Sequence, residues 1–439
     1  MELRLKNKLI VVLILLSFIL PIGKGFAIEN VTKITIHEAI NIALENSIDL
    51  QAEKINTEIA KNLVKQAGRL QNPSFGANYN IGKSAQGNPQ EIGISQTVEL
   101  FKRKNRKKLA NTDLELAQEN VDYAVFNLKM NIKEAYIDLV AAKSILESLM
   151  VELKSLQEID KLVKLRHKQG TATETDVIQA DIALNHLTTQ VNSAIADVMS
   201  ARFTLNSVMD TDPIYDSTVE SFDDGDFFAE LMTPHPKDPI PTYIQAITVA
   251  QENRHDLKIA KTKIQSAQDN LKLVSAQRIP DIELSAGYGY QSKNNSESGK
   301  FENGAYASAN LVNLPILYNF KPEIQNAKLE IEKAELKYSS LQNNAFANLS
   351  SAYERFIHAK LNLNYYSDTL IENSKQMMKT SKENYEQGKT DLTSLIIIEQ
   401  SYRSILIGYA YALSKYYTSW LDLVREVHVE DFVANSEYI

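Results

Sequence analysis

Few residues in this chain are spaced for chemistry. The seven histidines (His37, His167, His186, His235, His255, His358 and His428) lie far apart, and no two have the spacing of a metal-ligand pair. Cysteine is absent, which removes disulfides, thiolate metal sites and a cysteine nucleophile together. Asp223, Asp224 and Asp226 resemble the start of a calcium loop but lack the remaining ligand spacing, and Met377-Met378 is too little for a soft-metal relay. Nowhere do a nucleophile, a base and oxyanion donors assemble, so the sequence points away from an enzyme and calls for no metal or cofactor. The densest charge lies in Lys102-Arg103-Lys104-Asn105-Arg106-Lys107-Lys108, which has the look of a nucleic-acid patch. A formal net charge of −8 argues against nucleic acid as a partner. The run opens a helix, where cations oppose the dipole, so some other benefit is expected; anionic lipid head groups are the reading adopted here.

The elements that carry these residues begin with an export signal over residues 1–27. Arg4, Lys6 and Lys8 precede an apolar run from Leu9 to Leu20, and Gly25-Phe26-Ala27 supplies small residues before a cut after Ala27. Later in the chain no stretch of about 18 apolar residues runs uninterrupted, so membrane residence would have to come from β-strands.

The chain is internally duplicated. Residues 39–73 align without a gap to 246–280, most clearly Ala43 to Leu50 against Ala250 to Leu257. Further on, Ala135-Tyr136 matches Ala352-Tyr353, and Gln169-Gly170 matches Gln387-Gly388. The first repeat is expected over 28–230, with strands at about 73–100 and a long helix hairpin at about 102–210. The second covers 231–439, with strands at about 280–317 and a hairpin at about 322–427. Each opens with one helix, about 36–71 and about 242–278.

No Gly or Pro occurs between Lys102 and Gln169 or between Glu323 and Gln387, so each run can form a helix of about 100 Å. Apolar residues recur alternately four and three apart through Val121, Val125, Leu128, Ile132, Ala135, Leu139, Ala142, Leu146, Leu149, Leu153 and Leu156. The second half repeats the pattern through Ala345, Leu349, Ala352, Phe356, Ala359, Leu363, Tyr366 and Leu370. Gly170 and Gly388 break the helices, which then run back as antiparallel coiled-coil-like hairpins.

Two stretches keep a period of two instead. Phe75, Ala77, Tyr79 and Ile81, then Ile92, Ile94 and Val98, alternate with Gly, Ser, Asn and Thr; so do Ile282, Leu284, Ala286, Tyr288 and Tyr290. A fourth strand is expected from Ala305 to Leu314. One apolar face and one small, polar face suit a membrane barrel, with Phe75, Tyr79, Tyr288 and Tyr290 towards lipid. Four strands cannot close a barrel, for which about eight is the minimum; three copies would supply twelve.

These features together resemble the TolC-like outer-membrane efflux proteins, from about residue 36 to 427. The most specific motif is the hairpin signature from Arg166 through Gly170, Asp176 and Ala180, repeated from Asn384 through Gly388, Asp391 and Gln400. Leu100-Phe101-Lys102-Arg103 and Ala135-Tyr136-Ile137-Asp138-Leu139 are also family-like. The resemblance implies a homotrimer with a twelve-stranded outer-membrane barrel and a helical periplasmic tunnel. It would be the exit duct of a tripartite pump or a type I secretion system, working with a periplasmic adaptor and an inner-membrane transporter of RND or ABC type. Gly170, Thr171, Gly388 and Lys389 would then mark the periplasmic tips that dock the adaptor. Residues 206–241 and the segment after Val424 would form a belt around the tunnel. Asp176 holds the family's first acidic gate position, whereas Gln179 replaces the second. In the other hairpin Ser394 and Ile397 stand at both, which leaves Asp391 and Glu399 as nearby gate candidates. An exported coiled-coil scaffold or adhesin is the alternative; it leaves the two-faced strands and the duplication unexplained.

Overall fold

The computed structural model describes residues 32–79, 89–213, 217–219, 239–291, 303–366, 368–430 and 432. The proposed signal, Ile81, the acids at 223–226 and His235 lie outside the described residues. In chain order the elements are β1 (Thr32–Lys33), α1 (Ile36–Asn46), α2 (Ile48–Ala67), β2 (Ser74–Tyr79), β3 (Pro89–Val98), α3 (Lys102–Lys168), α4 (Glu174–Val208) and β4 (Ser217–Thr218). The second half follows with α5 (Tyr243–Asn253), α6 (His255–Ala276), β5 (Asp281–Gln291), β6 (Gly304–Val312), α7 (Lys321–Tyr365), α8 (Asp368–Glu386) and α9 (Leu392–Val427). The fold is therefore mainly helical with a small β part.

The helix expected at the start of each half is two helices. The break falls at Ser47 in one half and Arg254 in the other, with nearly the same backbone (φ −53°, ψ 116° and φ −55°, ψ 117°). Ser47 accepts a hydrogen bond from the Leu50 N–H and so restarts the helix as its N-cap. Arg254 is anchored by Asp256 at 2.8 Å and Glu426 at 2.7 Å. A second departure is the interruption between α7 and α8. Tyr366 leaves helical geometry (ψ 60°), and its ring lies over Gly408 of α9, where a Cβ would collide with it. The apolar stripe of the second half is buried from Ala345 to Leu363 and ends at this interruption; Leu370 is exposed.

α3 has 67 residues, about 100 Å of helix, and no globular core could cover it. Neighbours take turns along it. Its first turns lie between α2 and α6, its middle against α1 and α9, and its last third against α4. Around Phe126 to Ala141 the helix is buried on almost every side, against Ile36 and Ala43 of α1, Leu413, Tyr417 and Trp420 of α9, and Val219. A second apolar cluster runs down the hairpins through Leu149, Leu156, Leu187, Leu395 and Ile396. The strict heptad expected for α3 is thus a partner-switching stripe: Ile132, Ala135, Leu139, Leu149 and Leu156 are fully buried, and Val121, Val125 and Leu146 are half-buried.

The two β-hairpins join into one antiparallel sheet in the order β2-β3-β5-β6. The register sets Phe75, Ile94 and Ala286 side by side, and likewise Ala77, Ile92 and Tyr288, so the alternation of each strand adds up to one apolar face across all four. The opposite face carries Ser74, Gly93, Ser95, Glu283, Ser285, Gly287 and Ser308. β1 and β4 form a separate short parallel pair.

Candidate functional site: hairpin tips, sheet and joint

Both tips close by the same backbone device. Gly170 (φ 78°) and Gly388 (φ 72°) take the left-handed conformation after their helices. The N–H of Thr171 reaches the Arg166 carbonyl at 2.9 Å, and that of Lys389 reaches the Asn384 carbonyl at 2.8 Å. Both returning helices have their N-cap three residues after the glycine, with the capping groups exchanged. Thr173 is the N-cap of α4, and the Asp176 carboxylate accepts its N–H and hydroxyl, each at 2.8 Å. Asp391 is the N-cap of α9 and accepts the Ser394 N–H at 2.7 Å. The Ser394 hydrogen bonds hold the Asp391 carboxyl below the usual carboxylate range. Acid and hydroxyl have traded places, which accounts locally for why one tip has an acid where the other has Ser394.

The structure sets Glu399 apart from the two capping acids. Glu399 lies about two turns further into α9, is buried and accepts a 2.9 Å hydrogen bond from Arg403. What joins the tips is Arg166: its guanidinium lies 4.6 Å from the Tyr385 ring centroid and donates to the Glu386 carbonyl at 2.7 Å. Gln179 meets the Thr393 hydroxyl at 3.2 Å across the hairpins, and Lys382 pairs with Glu158 at 2.7 Å. The hairpin motif contains both Arg166 and Tyr385, but their contact was not legible in the sequence because it joins two different hairpins.

Phe75, Tyr79, Tyr288 and Tyr290 share the apolar sheet face with Ile92 and Ile94, and all are exposed. On the polar face Tyr306 lies across Gly287 and Gly93; a Cβ at either glycine would come within 2.7 Å of its hydroxyl. At the strand-to-helix entrances Phe101 (φ 63°) and Phe320 (φ 55°) are both left-handed N-caps, a backbone costing about 1 kcal/mol or more in a residue other than glycine. Phe101, Leu314, Ile316 and Leu317 leave an exposed apolar rim at this end of the sheet.

The basic run belongs to this joint, and most of it is engaged within the chain. Lys102 donates to Asp281 at 2.7 Å, Arg106 grips Glu99 through two bonds of 3.0 and 2.9 Å, and Arg103 donates to the Gly68 carbonyl at 2.7 Å. Arg106 also reaches the Ala67 carbonyl, so cations that oppose the dipole of α3 complete the C-terminus of α2. That is the benefit assigned to lipid head groups from sequence; for Lys102, Arg103, Arg106 and Lys108 the structure supplies protein partners.

Lys108 (3.1 Å) and Lys272 (3.0 Å) flank buried Asp269, with the Thr112 hydroxyl at 3.1 Å. Burial pushes this carboxyl up, but the hydrogen bonds from Lys272, Lys108, Gln265 and Thr112 outweigh it and leave it at about 2. A lowered pKa stabilises the fold above the unfolded value of 3.8, and that contribution fades as pH falls through 3.8 towards 2. Because the lysines are half-exposed, Asp269→Asn is expected to cost only about 1 kcal/mol at neutral pH. It should also flatten the loss of stability below about pH 4 in thermal unfolding. Parallel acid profiles for the two proteins would contradict the assignment.

With this geometry in hand, the comparisons are direct. The outer membrane efflux protein family model matches residues 39–209 and again 246–425. The chain belongs to that family, and one matched segment falls in each half of the chain. It is 23% identical over 366 residues to the outer membrane efflux protein BepC of Brucella suis, covering 81% of this chain and 75% of BepC. The outer-membrane channel OprN has the same fold, with a TM-score of 0.71 at 16% identity, over 89% of each chain. VceC, an outer membrane protein of Vibrio cholerae, superposes with a TM-score of 0.70 at 15% identity, over 89% of this chain and 95% of VceC. The fold is thus that of an outer-membrane channel, with long helices as the tunnel part and the sheet as the barrel part. Among the described residues no helix is long and apolar enough to cross a membrane.

Proposed function

We propose that three copies of this chain assemble a passive exit duct in the outer membrane, fed by a periplasmic adaptor and an inner-membrane transporter. The observation that carries this reading is the sheet: one face apolar, the other polar, standing on α3, with β2 and β6 as its edge strands among the described residues. Since the four strands alternate in direction, β6 of one copy meets β2 of the next antiparallel, and three sheets close into twelve strands. Phe75, Tyr79, Tyr288 and Tyr290 face lipid in this assembly. The chain performs no chemistry; direction and energy come from its partners, and the cargo is a small solute or metal ion. Gly170, Thr171, Gly388 and Lys389 form the adaptor-docking tips, which splay outward when the duct opens.

Purification from outer membranes in detergent, followed by mass measurement and planar-bilayer recording, tests the assembly. A trimer with low, gated conductance is expected; a monomer that stays soluble without detergent would sink the duct reading. The gate is a separate question, because Asp176 also caps α4. Asp176→Ala loses cap and charge together, at about 1 kcal/mol for the cap, and is expected to leak. The paired change Thr173→Asp with Asp176→Ser copies the other tip, keeping a cap while moving the charge. If the charge at 176 closes the tip, both variants leak alike; if the paired variant stays as tight as the parent, Asp176 is only a cap.

A further inference from the structure

One charged layer is sealed inside the lower apolar cluster, away from the tips. Glu152 of α3 is 4% exposed, and Glu399 and Arg403 of α9 are 1% and 7% exposed. They sit among Leu149, Leu156, Leu395 and Ile396. Arg403 donates to one oxygen of Glu399 at 2.9 Å, whereas Oε2 of Glu152 is buried with no hydrogen-bond partner. Among the described residues this layer therefore sets two buried carboxyl groups against one buried guanidinium, which is bonded to Glu399 alone. Ionised together they leave a buried negative charge uncompensated, which a protein interior accommodates poorly. The surrounding elements give little relief. On α8, Lys382 is held by Glu158 on the outside of α3, and Glu372 adds another negative charge near Tyr402 of α9, whose phenol is itself raised by burial.

We infer that Glu152 holds a proton beside the Glu399–Arg403 pair, and that this neutral carboxyl is a pH-sensitive clamp between the α3–α4 hairpin and the α8–α9 hairpin. The proton neutralises a buried carboxyl that no donor compensates and removes the repulsion between α3 and α9. Without it, the repulsion and the unpaired oxygen favour separation of the two hairpins, the motion by which the proposed duct opens. Burial first, then the charge of Glu399, pushes the Glu152 carboxyl up to about 7 against Arg403 and Lys382; burial likewise raises Glu399 against Arg403. The raised value sets the sign: the clamp is complete in acid and is lost as pH rises through about 7. The consequence for opening rests on the duct reading; the proton site does not.

The test uses the full-length protein purified in detergent. Infrared titration is expected to show a protonated carboxyl band that disappears near neutral pH and is missing in Glu152→Gln, which keeps the side-chain shape. Glu399→Gln, lacking the repulsive neighbour, should move that midpoint about one unit towards acid. In planar bilayers, parent opening frequency is expected to rise about tenfold from pH 6 to pH 8.5, as loss of one shifted proton allows, while Glu152→Gln stays at the low-pH level. No neutral-range carboxyl band, or a band unchanged in Glu152→Gln, overturns the proton site. A band that titrates while parent and Glu152→Gln channels open identically at both pH values overturns the clamp. If the parent never conducts at any pH, the duct reading fails and the clamp with it, while the infrared titration still decides the proton site.

Discussion

Gly287→Ala is expected to abolish assembly of the proposed trimer in membranes, through the sheet rather than through any gate. Gly287 pairs with Gly93 on one side and Tyr306 on the other, at the seam where the two halves of the duplication meet. A Cβ there would run into the Ile92 carbonyl of the paired strand and into the Tyr306 ring. The ring can swing away, but the carbonyl belongs to the ladder, so β3 and β5 must separate. Overpacking of this kind costs about 3 kcal/mol, and the displaced ladder adds to it. Two residues on, on the same face, Gly289 has its closest such contact at 4.0 Å, so Gly289→Ala serves as the control. Gly93→Ala meets the Tyr306 hydroxyl first, and combining it with Tyr306→Phe should restore part of the loss. The measurement is the yield of heat-resistant trimer from outer membranes. Equal yields for Gly287→Ala and Gly289→Ala would refute the close-approach argument.

Asp281→Ala is expected to have the second-largest effect, about 3 kcal/mol, by detaching sheet from helix. Asp281 is 2% exposed and opens β5; one oxygen accepts from Lys102 at 2.7 Å and from Asn313 at 3.0 Å. Those partners begin α3 and follow β6, so one carboxylate ties both halves at the level where strand becomes helix. Truncation leaves the Lys102 ammonium, itself mostly buried, without its counter-charge, and that orphan sets the size of the effect. Asp281→Asn keeps the acceptor and should lose less. Replacing Lys102 and Asp281 together by Met and Leu should recover most of the stability, because no charge is then stranded. Thermal unfolding of the purified protein reads all three. A double replacement as unstable as Asp281→Ala would mean that the carboxylate acts through something other than Lys102.

Much of the architecture was legible before any coordinates. The four-and-three spacing through Ile132, Ala135 and Leu139 describes a helix that must lie along others, and Gly170 and Gly388 end the helices because a left-handed residue favours glycine. The alternation through Phe75, Ala77 and Tyr79 assigns each strand two faces. Other features carried no local signal. Ser47 and Arg254 break their helices at equivalent positions with different side chains, and the interruption at Tyr366 depends on a glycine far along the chain. The basic run invited a lipid partner because its neighbours Asp281 and Asp269 lie far off in sequence.

By itself, the sequence determined the duplication, the long hairpins and the two-faced strands. All of these are periodicities or repeats, set by where apolar groups must go when water is excluded from one side of an element. The tertiary structure alone decided that β3 pairs with β5, that Asp176 and Asp391 cap helices with the roles of acid and hydroxyl exchanged, and that Glu399 is buried against Arg403. Each of those depends on how a charge or a hydrogen-bonding group is satisfied, often by a residue brought near from elsewhere in the chain, and the energy of such a contact is defined only once the intervening chain has packed.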